Sequence, residues 1–284
     1  MTVNEAKRSL KNQFIQAGLD SPALDARLLV MMATDMSRAD LIAQGHSILP
    51  RKIMDQITLL SKKRLSGEPI SHILGYNPFY GRKFKVTRDV LSPRPETEML
   101  VDGALDYIRS KPDARILDLG TGSGAIVISI LAEAETVTAT AVDLSKAALE
   151  IATENAKCHA VDERLEFVLG RWFEELNQQY DLIVSNPPYI NSLAMEDLSQ
   201  EVKNYDPHLA LSGGADGLEA YRAIVKDAKS YLTQTGKILF EIGFDQAVVV
   251  SDLLREAGFH NISVDNDLAG HPRMIGADCS VAVK

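Results

Sequence analysis

The chain has 284 residues, of which 45% are apolar and 24% charged, and this composition is typical of a globular protein with one or two domains. Its net charge of −9 is uneven, since residues 1–75 carry ten Lys or Arg against seven Asp or Glu, whereas the remainder carries twenty against thirty-two. We therefore expect no direct nucleic-acid binding, because phosphate contacts dominate such affinity, although an asymmetry of this size is equally compatible with no functional meaning.

The first 74 residues contain only helical patterns. The segment SPALDARLLVMMATDM has Ser21 at a helix N-cap position, Pro22 at the first helical position and apolar residues at helical spacing. The segment LPRKIMDQITLLSKKRLSG follows the same order, with Gly67 at the end of the helix. These patterns predict a small all-helical N-terminal domain over residues 1–74.

A β-hairpin is predicted over residues 75–90, where it would link two domains. This stretch is rich in aromatic residues, Gly and Pro, and its part RKFKVTRDV alternates polar and apolar side chains. The segment SPRPETEML that follows is typical of a helix start. Pro95 suits the first turn, and Glu96 and Glu98 favour the positive end of the helix dipole.

From residue 91 onward, apolar strand patterns alternate with helical ones. The strand candidates are residues 114–120, 136–144, 164–170, 180–186 and 236–243. Alternation of this kind, with continuously apolar strands, predicts an α/β domain over residues 91–284 whose mainly parallel sheet is covered by helices on both faces. Two further segments, NISVDNDL and RMIGADCSVAVK, are joined closely and predict an antiparallel hairpin at the sheet edge.

A glycine-rich turn joins the first strand of this domain to a helix. Its residues are Gly120, Thr121, Gly122, Ser123 and Gly124. Glycine has no Cβ, so such a turn lets a ligand approach the backbone closely. Dinucleotide enzymes use a similar turn, and Ala125 satisfies the last position of their pattern. The longer run that begins at Asp118, Asp-x-Gly-x-Gly-x-Gly, resembles the cofactor loop of S-adenosylmethionine-dependent methyltransferases.

Two side chains are candidates for binding the nucleoside part of that cofactor. Asp143 ends the next strand, where a carboxylate accepts hydrogen bonds from ribose hydroxyls. The alternative role for Asp143, a helix cap, is better served by Ser145. Trp172 is the only tryptophan and follows the third strand, where a base would lie, so its ring would cover the adenine. Core packing explains Trp172 almost as well.

The fourth strand ends in Asn186, Pro187, Pro188 and Tyr189, an unusual end for a buried strand. Open α/β sheets bind ligands at this end of their strands. Prolines donate no backbone hydrogen bond and hold a rigid backbone, so their carbonyls are available as acceptors, and the side-chain oxygen of Asn186 is a second acceptor. Two convergent acceptors suit a planar NH₂ group, for which Tyr189 offers a flat face.

These residues can align an amide nitrogen but cannot deprotonate it. The lone pair of an amide or exocyclic amine is delocalised, and hydrogen bonds that favour a pyramidal nitrogen would localise it as a methyl group arrives. Neither Asn nor Pro takes up a proton, so we infer electrostatic alignment rather than strong general-base catalysis. We predict catalytic roles for Asn186, Pro187 and Tyr189, substrate contacts from these three and Pro188, and a cofactor contact from Asn186.

Several segments together resemble one family over nearly the whole chain. They are FYGRKFKV, LSPRPETE, LDLGTGSGAI, SNPPYI, DPHLALSGGADGLEAYR and EIG. The glycine loop with Asn-Pro-Pro-Tyr is similar to amino-methyltransferases of adenine, guanine or glutamine, and the full set is similar to bacterial peptide-chain-release-factor N5-glutamine methyltransferases. This resemblance implies a Rossmann-like class I methyltransferase sheet with a helical N-terminal domain. It also implies S-adenosylmethionine as the methyl donor and the glutamine of the Gly-Gly-Gln motif in class I release factors as the acceptor.

One residue departs from that family's pattern, and two other functions stay open. Arg171 stands where the family usually has an acidic residue before Trp172, which puts a contact to the adenine amino group in doubt. The substrate could instead be a ribosomal-protein glutamine or a nucleic-acid amine, although no basic target-recognition insertion is present. A cofactor-binding module without catalysis is the third reading, which the intact Asn-Pro-Pro-Tyr disfavours. We expect the helical domain to dock the protein substrate.

The remaining sequence features concern metals and location. Cys158 and Cys279 lack metal-ligand spacing and are interpreted as buried free thiols, and the six histidines form no pair at ligand spacing, so we expect no metal. The longest apolar run, residues 125–132, is too short to cross a bilayer, and the first residues lack the apolar core of a signal peptide. We therefore expect a cytoplasmic protein without a membrane partner.

Overall fold

The structure is a computed structural model that describes residues 1–280. It contains two compact units, Met1–Gly75 and a second unit that begins at Tyr76. The first unit is helical, as the sequence predicts. Its helices are α1 (Val3–Gln16), α2 (Pro22–Thr34), α3 (Arg38–Ala43), α4 (Arg51–Leu65) and α5 (Ile70–Leu74).

The N-terminal unit has its own apolar core, formed by one face of each longer helix. Phe14 of α1 and Leu29 of α2 are fully buried in this core. Pro22 begins α2 as expected, but the Ser21 side chain makes no capping hydrogen bond. The core also encloses an ion pair, in which Nε of Arg64 lies 2.7 Å from Oδ2 of Asp25. A buried pair of this kind adds little net stability, because the cost of removing both charges from water offsets their attraction.

The second unit begins with an antiparallel hairpin of β1 (Tyr76–Phe79) and β2 (Arg82–Lys85). Phe79 and Phe84 carry the hairpin into the apolar core of the same unit, where their rings pack edge to face at 6.0 Å. The hairpin is therefore anchored to the sheet domain by two buried aromatic side chains.

A seven-stranded sheet forms the centre of the second unit. Its strands are β3 (Arg115–Leu119), β4 (Thr138–Asp143), β5 (Leu165–Leu169), β6 (Tyr180–Ser185), β7 (Leu232–Glu241), β8 (His260–Asn266) and β9 (Pro272–Asp278). They are arranged in the order β5-β4-β3-β6-β7-β9-β8. Neighbours from β5 to β7 are parallel, and β9 is antiparallel to both β7 and β8. The mainly parallel sheet with an antiparallel edge hairpin is confirmed. Residues 281–284 of the predicted final strand lie outside the described residues.

The longer helices of the second unit cover both faces of the sheet, and short helices follow β6. They are α6 (Glu98–Ile108), α7 (Ala125–Glu133), α8 (Lys146–Cys158), α9 (Ser192–Asp197), α10 (Gln200–Tyr205), α11 (His208–Leu211), α12 (Glu219–Tyr231) and α13 (Ala247–Glu256). Alternate strand residues face opposite cores: Ile116 packs with α6 and α7, whereas Leu117 packs with α12 and α13. This alternation explains why the central strands are apolar throughout.

One expectation about the cysteines is wrong. Both are free thiols and Cys279 is buried, but Cys158 is exposed, since it is the last residue of α8, where the helix end meets solvent. Over residues 1–280, none of the helices has the length and apolar character needed to span a bilayer. Within the same residues, no three potential metal ligands come together.

Candidate active site

A cavity of about 430 Å³ opens at the C-terminal ends of β3, β4 and β6. This volume falls within the roughly 300–1,000 Å³ of small-molecule sites. The ends of these strands meet here because the strands are parallel neighbours. The loop before α6, the glycine loop, and the turns after β4, β5 and β6 all contribute to its walls.

The glycine loop follows β3 directly and lines this cavity. Gly120 and Gly122 have φ values of 75° and 56°, in the left-handed region where a Cβ would be strained. Thr121 and Ser123 lie between the glycines, and Gly120 to Ser123 all line the cavity. Gly124 begins α7 and lies behind these residues, since it is not among those that line the cavity.

Asp143, at the end of β4, holds the glycine loop in place. Its Oδ2 accepts a hydrogen bond from the amide of Gly122 at 2.8 Å, and its Oδ1 accepts one from the amide of Ser145 at 2.8 Å. Ser145 caps α8, because its side chain accepts from the amide of Ala148 at 3.2 Å. Burial raises the pKa of Asp143, and hydrogen bonds from the backbone amides of Ser145, Gly122 and Leu144 oppose that shift. A carboxylate has about four lone-pair positions, so Asp143 retains acceptor capacity for a ligand.

Asp118 lies beneath the loop and is fully buried in β3. Its Oδ2 accepts a hydrogen bond from the hydroxyl of Thr121 at 2.7 Å. Burial raises the pKa of Asp118 to about 7, and the charge of Asp143 acts in the same direction. The side chain therefore braces the loop from inside and does not line the cavity.

Trp172 lies over the glycine loop. Its ring lies beside Gly120, where a Cβ would be in ordinary van der Waals contact with Cζ3 of the indole at 3.8 Å. Its backbone is left-handed, with φ of 54°, which is uncommon for a residue with a large side chain. The indole Nε1 is buried and has no hydrogen-bond partner among the described residues. The ring thus forms one wall of the cavity while it also packs against the core.

Arg171 makes an ion pair at the same wall. Its guanidinium lies 3.6 Å from Oε1 of Glu219, the first residue of α12, and both residues line the cavity. Both side chains are at least half exposed. An acidic side chain is therefore present at this wall, but it is Glu219 on α12 and not the residue at position 171.

Asn186 follows β6 and is held by a chain of hydrogen bonds from behind. Its Nδ2 lies 3.3 Å from Oγ1 of Thr97, and that hydroxyl donates to Oε2 of Glu241 at 2.5 Å. The hydroxyl of Tyr189 makes a longer contact of 3.4 Å with Oε1 of Glu241. Burial raises the pKa of Tyr189 to about 12, so its hydroxyl keeps its proton.

The backbone after Asn186 is packed against two glycines. A Cβ at Gly213 would lie 2.8 Å from the carbonyl oxygen of Pro188, and a Cβ at Gly217 would overlap the carbonyl oxygen of Tyr189. Gly217 also has a left-handed φ of 78°. Among the described residues, no backbone amide donates to the carbonyl of Pro187 or Pro188. The glycines therefore hold a segment whose two proline carbonyls accept no backbone hydrogen bond among the described residues.

Comparison with known proteins covers both units of the chain. Residues 5–75 match the family model described as PrmC N-terminal domain, and residues 97–215 match the one described as Methyltransferase small domain. The release factor glutamine methyltransferase of Cereibacter sphaeroides is 42% identical over 277 residues, covering 98% of each chain. The protein of that name from Coxiella burnetii is 40% identical and covers 98% of this chain and 99% of its own. The chain belongs to the release factor glutamine methyltransferase family.

A solved structure is similar to this chain in fold. The catalytic domain of hMettl16, in complex with MAT2A 3′UTR hairpin 6, superposes with a TM-score of 0.59 at 16% identity. The match covers 72% of this chain and 78% of that one. At such low identity the likeness concerns the fold alone, which is the class I methyltransferase fold.

Most of the site residues that the sequence predicts lie together around the cavity. Those that line the cavity are Gly120, Thr121, Gly122, Ser123, Asp143, Trp172, Asn186 and Pro188. Gly124, Pro187 and Tyr189 lie next to them in sequence but outside the cavity wall. The ring of Tyr189 packs against the apolar core beside α12. The functional roles assigned to all these residues remain predictions.

Two residues that the sequence reading assigned no role lie behind Asn186. Thr97 belongs to SPRPETEML, which the sequence predicts only as a helix start, and it is the last residue of a 3₁₀ turn (Pro95–Thr97) directly before α6. Glu241 belongs to the segment EIG, which contributed to the resemblance without a stated role. Both are polar residues at the ends of secondary-structure elements, and Glu241 is the last residue of a buried strand. A polar residue at the C-terminal end of a buried strand is the sequence signal that could have indicated a ligand site here.

Proposed function

We propose that this chain transfers a methyl group from S-adenosylmethionine to the side-chain amide nitrogen of a glutamine, the one in the Gly-Gly-Gln motif of class I peptide chain release factors. The observation that supports this most directly is that the glycine loop and Asn186 line one cavity. A cofactor loop and an amide-binding residue must share a cavity if the donor and the acceptor are to meet.

The cavity fits such a cofactor in its shape and in its polar groups. Asp143 offers acceptor lone pairs for ribose hydroxyls, and Trp172 offers the face of a large ring for adenine. Glycine at positions 120 and 122 leaves the backbone open to close approach. Cofactor binding is accordingly assigned to residues 120–124, Asp143, Trp172 and Asn186.

Asn186 and the proline carbonyls would align the acceptor nitrogen. S-adenosylmethionine, when bound, supplies an electrophilic methyl group on a positively charged sulfur. Transfer forms an N–C bond and breaks an S–C bond, whose electron pair stays on sulfur, and the nitrogen then loses one proton to solvent. Asn186 and Pro187 or Pro188 accept hydrogen bonds from the amide NH₂, which favours the pyramidal nitrogen of the transition state. Tyr189 lies behind the cavity wall, where its ring packs against the core and would support this segment.

The helical N-terminal unit is proposed to dock the release factor. It has its own core, and every residue that lines the cavity belongs to the second unit. A domain that contributes no residue to the cavity can bind parts of the protein substrate that are remote from the reacting glutamine. Residues 1–74 would thus supply affinity for the protein substrate, and residues 91–284 the chemistry, with the hairpin of residues 75–90 between them.

The test is methyl transfer from labelled S-adenosylmethionine to purified candidate acceptors. We expect label in a class I release factor and none in the same factor with the Gly-Gly-Gln glutamine replaced by alanine. Ribosomal proteins, tRNA and DNA serve as alternative acceptors in parallel reactions. Label in any of these, with none in the release factor, would assign the alternative substrate, and label in no acceptor would indicate a binding module without catalysis.

A further inference from the structure

A buried carboxylate stands behind Asn186 and has a defined set of partners. Glu241 is the last residue of β7, which pairs with β6 immediately before Asn186, and only 2% of its surface is exposed. Burial raises its pKa, whereas the hydrogen bond from Thr97, the charge of Arg273 and the Tyr189 hydroxyl act in the opposite direction. A buried carboxylate requires such partners, because an unpaired one is costly.

The partners determine the direction of the hydrogen bonds. Thr97 has a single hydroxyl hydrogen, and with Glu241 ionised that hydrogen points to Oε2 of the carboxylate, which lies 2.5 Å away and can only accept. Oγ1 of Thr97 can then only accept a further hydrogen bond. The group of Asn186 that lies 3.3 Å from it must therefore be the NH₂ and not the carbonyl.

This fixes which end of the Asn186 amide remains for a ligand. The two ends of an amide are similar in shape, so only hydrogen bonds decide which one faces a given side. Nδ2 is held by Thr97, and Oδ1 accepts no hydrogen bond from the described residues while Asn186 lines the cavity. The oxygen is thus the atom left for the cavity.

We propose that Thr97 and Glu241 are positioning residues that lock the Asn186 amide with its oxygen, and not its NH₂, towards the reacting nitrogen. The proposal rests on the proposed function, since it concerns how the acceptor amide is aligned. Rotation of the Asn186 amide by half a turn would present a donor to the donor hydrogens of the substrate. Thr97 and Glu241 act through Asn186 and need not touch the substrate.

Three substitutions separate positioning from simple stabilisation. Thr97→Val has the same shape without the hydroxyl, whereas Thr97→Ser retains it. Glu241→Gln introduces an NH₂ group that can donate a hydrogen bond to Oγ1 of Thr97. The Thr97 hydroxyl is then free to donate to Oδ1 of Asn186, and this reverses the orientation of the Asn186 amide. Thr153→Val is the matched control, because the Thr153 hydroxyl donates to the Leu149 carbonyl at 2.7 Å in α8, outside the cavity wall.

Activity is measured with release factor at saturating S-adenosylmethionine, together with cofactor Kd and Tm. We expect Thr97→Val and Glu241→Gln to lower kcat about tenfold or more, the scale of a lost hydrogen bond at a reacting centre, with Kd for the cofactor nearly unchanged. Thr97→Ser and Thr153→Val should keep most of the activity. In an Asn186→Ala background, Thr97→Val should cause no further loss of kcat.

A second readout does not depend on activity. The side-chain NH₂ of Asn186, assigned by its loss in Asn186→Ala, should exchange slowly with solvent in the wild-type protein and in Thr97→Ser, and faster in Thr97→Val. If release factor is not methylated but this pattern holds, the proposed function fails and the positioning stands. Equal exchange in all three proteins, or a full additional loss of kcat by Thr97→Val in the Asn186→Ala background, would overturn the positioning role.

Discussion

The amide of Gly122 donates a hydrogen bond to Oδ2 of Asp143 at 2.8 Å, and this bond joins the glycine loop after β3 to the end of β4. The sequence predicts that Asp143 binds the ribose of a cofactor, and the structure shows that the same carboxylate also holds the glycine loop. The two roles are compatible because each oxygen of a carboxylate has two lone-pair positions.

Asp143→Ala should weaken binding of S-adenosylmethionine by about 1–3 kcal/mol, because ribose hydroxyls would be buried without their acceptor. Asp143→Asn keeps one oxygen and should lose less. Calorimetric titration of the cofactor measures both, with Asp113→Ala as the control, since Asp113 is an exposed aspartate before β3. Unchanged affinity in the alanine variant would remove Asp143 from the cofactor site.

Asn186→Ala should lower kcat by about 10²–10³, the loss typical of one preorganised polar group at a reacting centre. The cofactor must be saturating, since Asn186 is also assigned to the cofactor site. Asn186→Asp should do less harm because it still accepts, but it cannot donate to Thr97 and it places a second carboxylate near Glu241. If the alanine variant kept more than about a tenth of wild-type kcat, alignment by Asn186 would not be the source of catalysis.

Gly217→Ala should displace the Asn-Pro-Pro-Tyr segment, because the added Cβ overlaps the carbonyl oxygen of Tyr189. A shift of about 1 Å at a reacting centre costs on the order of 10²-fold in rate. Gly270→Ala is the matched control: its φ of 85° imposes a similar backbone strain, but its Cβ meets nothing within 4 Å. We expect a loss of kcat only in the first variant, and equal activities would show that close packing at Gly217 does not hold the segment.

The cofactor-free protein should lose stability as pH rises from about 4 to about 7, in part through Asp118. Burial raises its folded pKa from 3.8 to about 7, so the folded state binds a proton that the unfolded state has released, and stability falls as that proton dissociates. Urea unfolding at several pH values compares the wild type with Asp118→Asn. The difference in unfolding free energy should change by a few kcal/mol across this range, at about 1.4 kcal/mol per pKa unit. A difference independent of pH would contradict the raised pKa.

Deletion of residues 1–74 should leave a folded domain with unchanged cofactor affinity but poor activity on intact release factor. The sheet unit has its own cores, and the cavity contains no residue of the deleted part. A short Gly-Gly-Gln peptide is the control substrate, because it offers nothing for a docking domain to bind. We expect full-length and truncated enzyme to methylate the peptide equally. Equal rates on the intact factor would exclude docking by the helical unit.

Local patterns were sufficient to predict the central strands and the glycine loop. Continuous apolar runs identify β3 and β6, and the glycines after Leu119 identify a turn that requires left-handed backbone. The short connection between the last two strands likewise predicts their antiparallel pairing. These features depend on residues that are adjacent in sequence, so local sequence patterns are sufficient to predict them.

Long-range polar contacts could not be predicted in the same way. Thr97 and Glu241 are 144 residues apart and meet only because the start of α6 and the end of β7 lie at the same edge of the sheet. The left-handed backbone of Trp172 and the exposure of Cys158 depend likewise on how neighbouring elements pack. Sequence spacing carries no signal for such pairs, although a polar residue at the end of a buried strand is a reason to look for one.

The place of β9 in the sheet bears on how the protein is made. β9 comes after every other strand in the described chain, yet it lies between β7 and β8 and pairs with both. During synthesis the helical unit, which is built from contacts close in sequence, can fold early, whereas the sheet stays open beside β7 until Asp278 has left the ribosome. Until then β7 exposes an unpaired edge, which favours aggregation of the nascent chain.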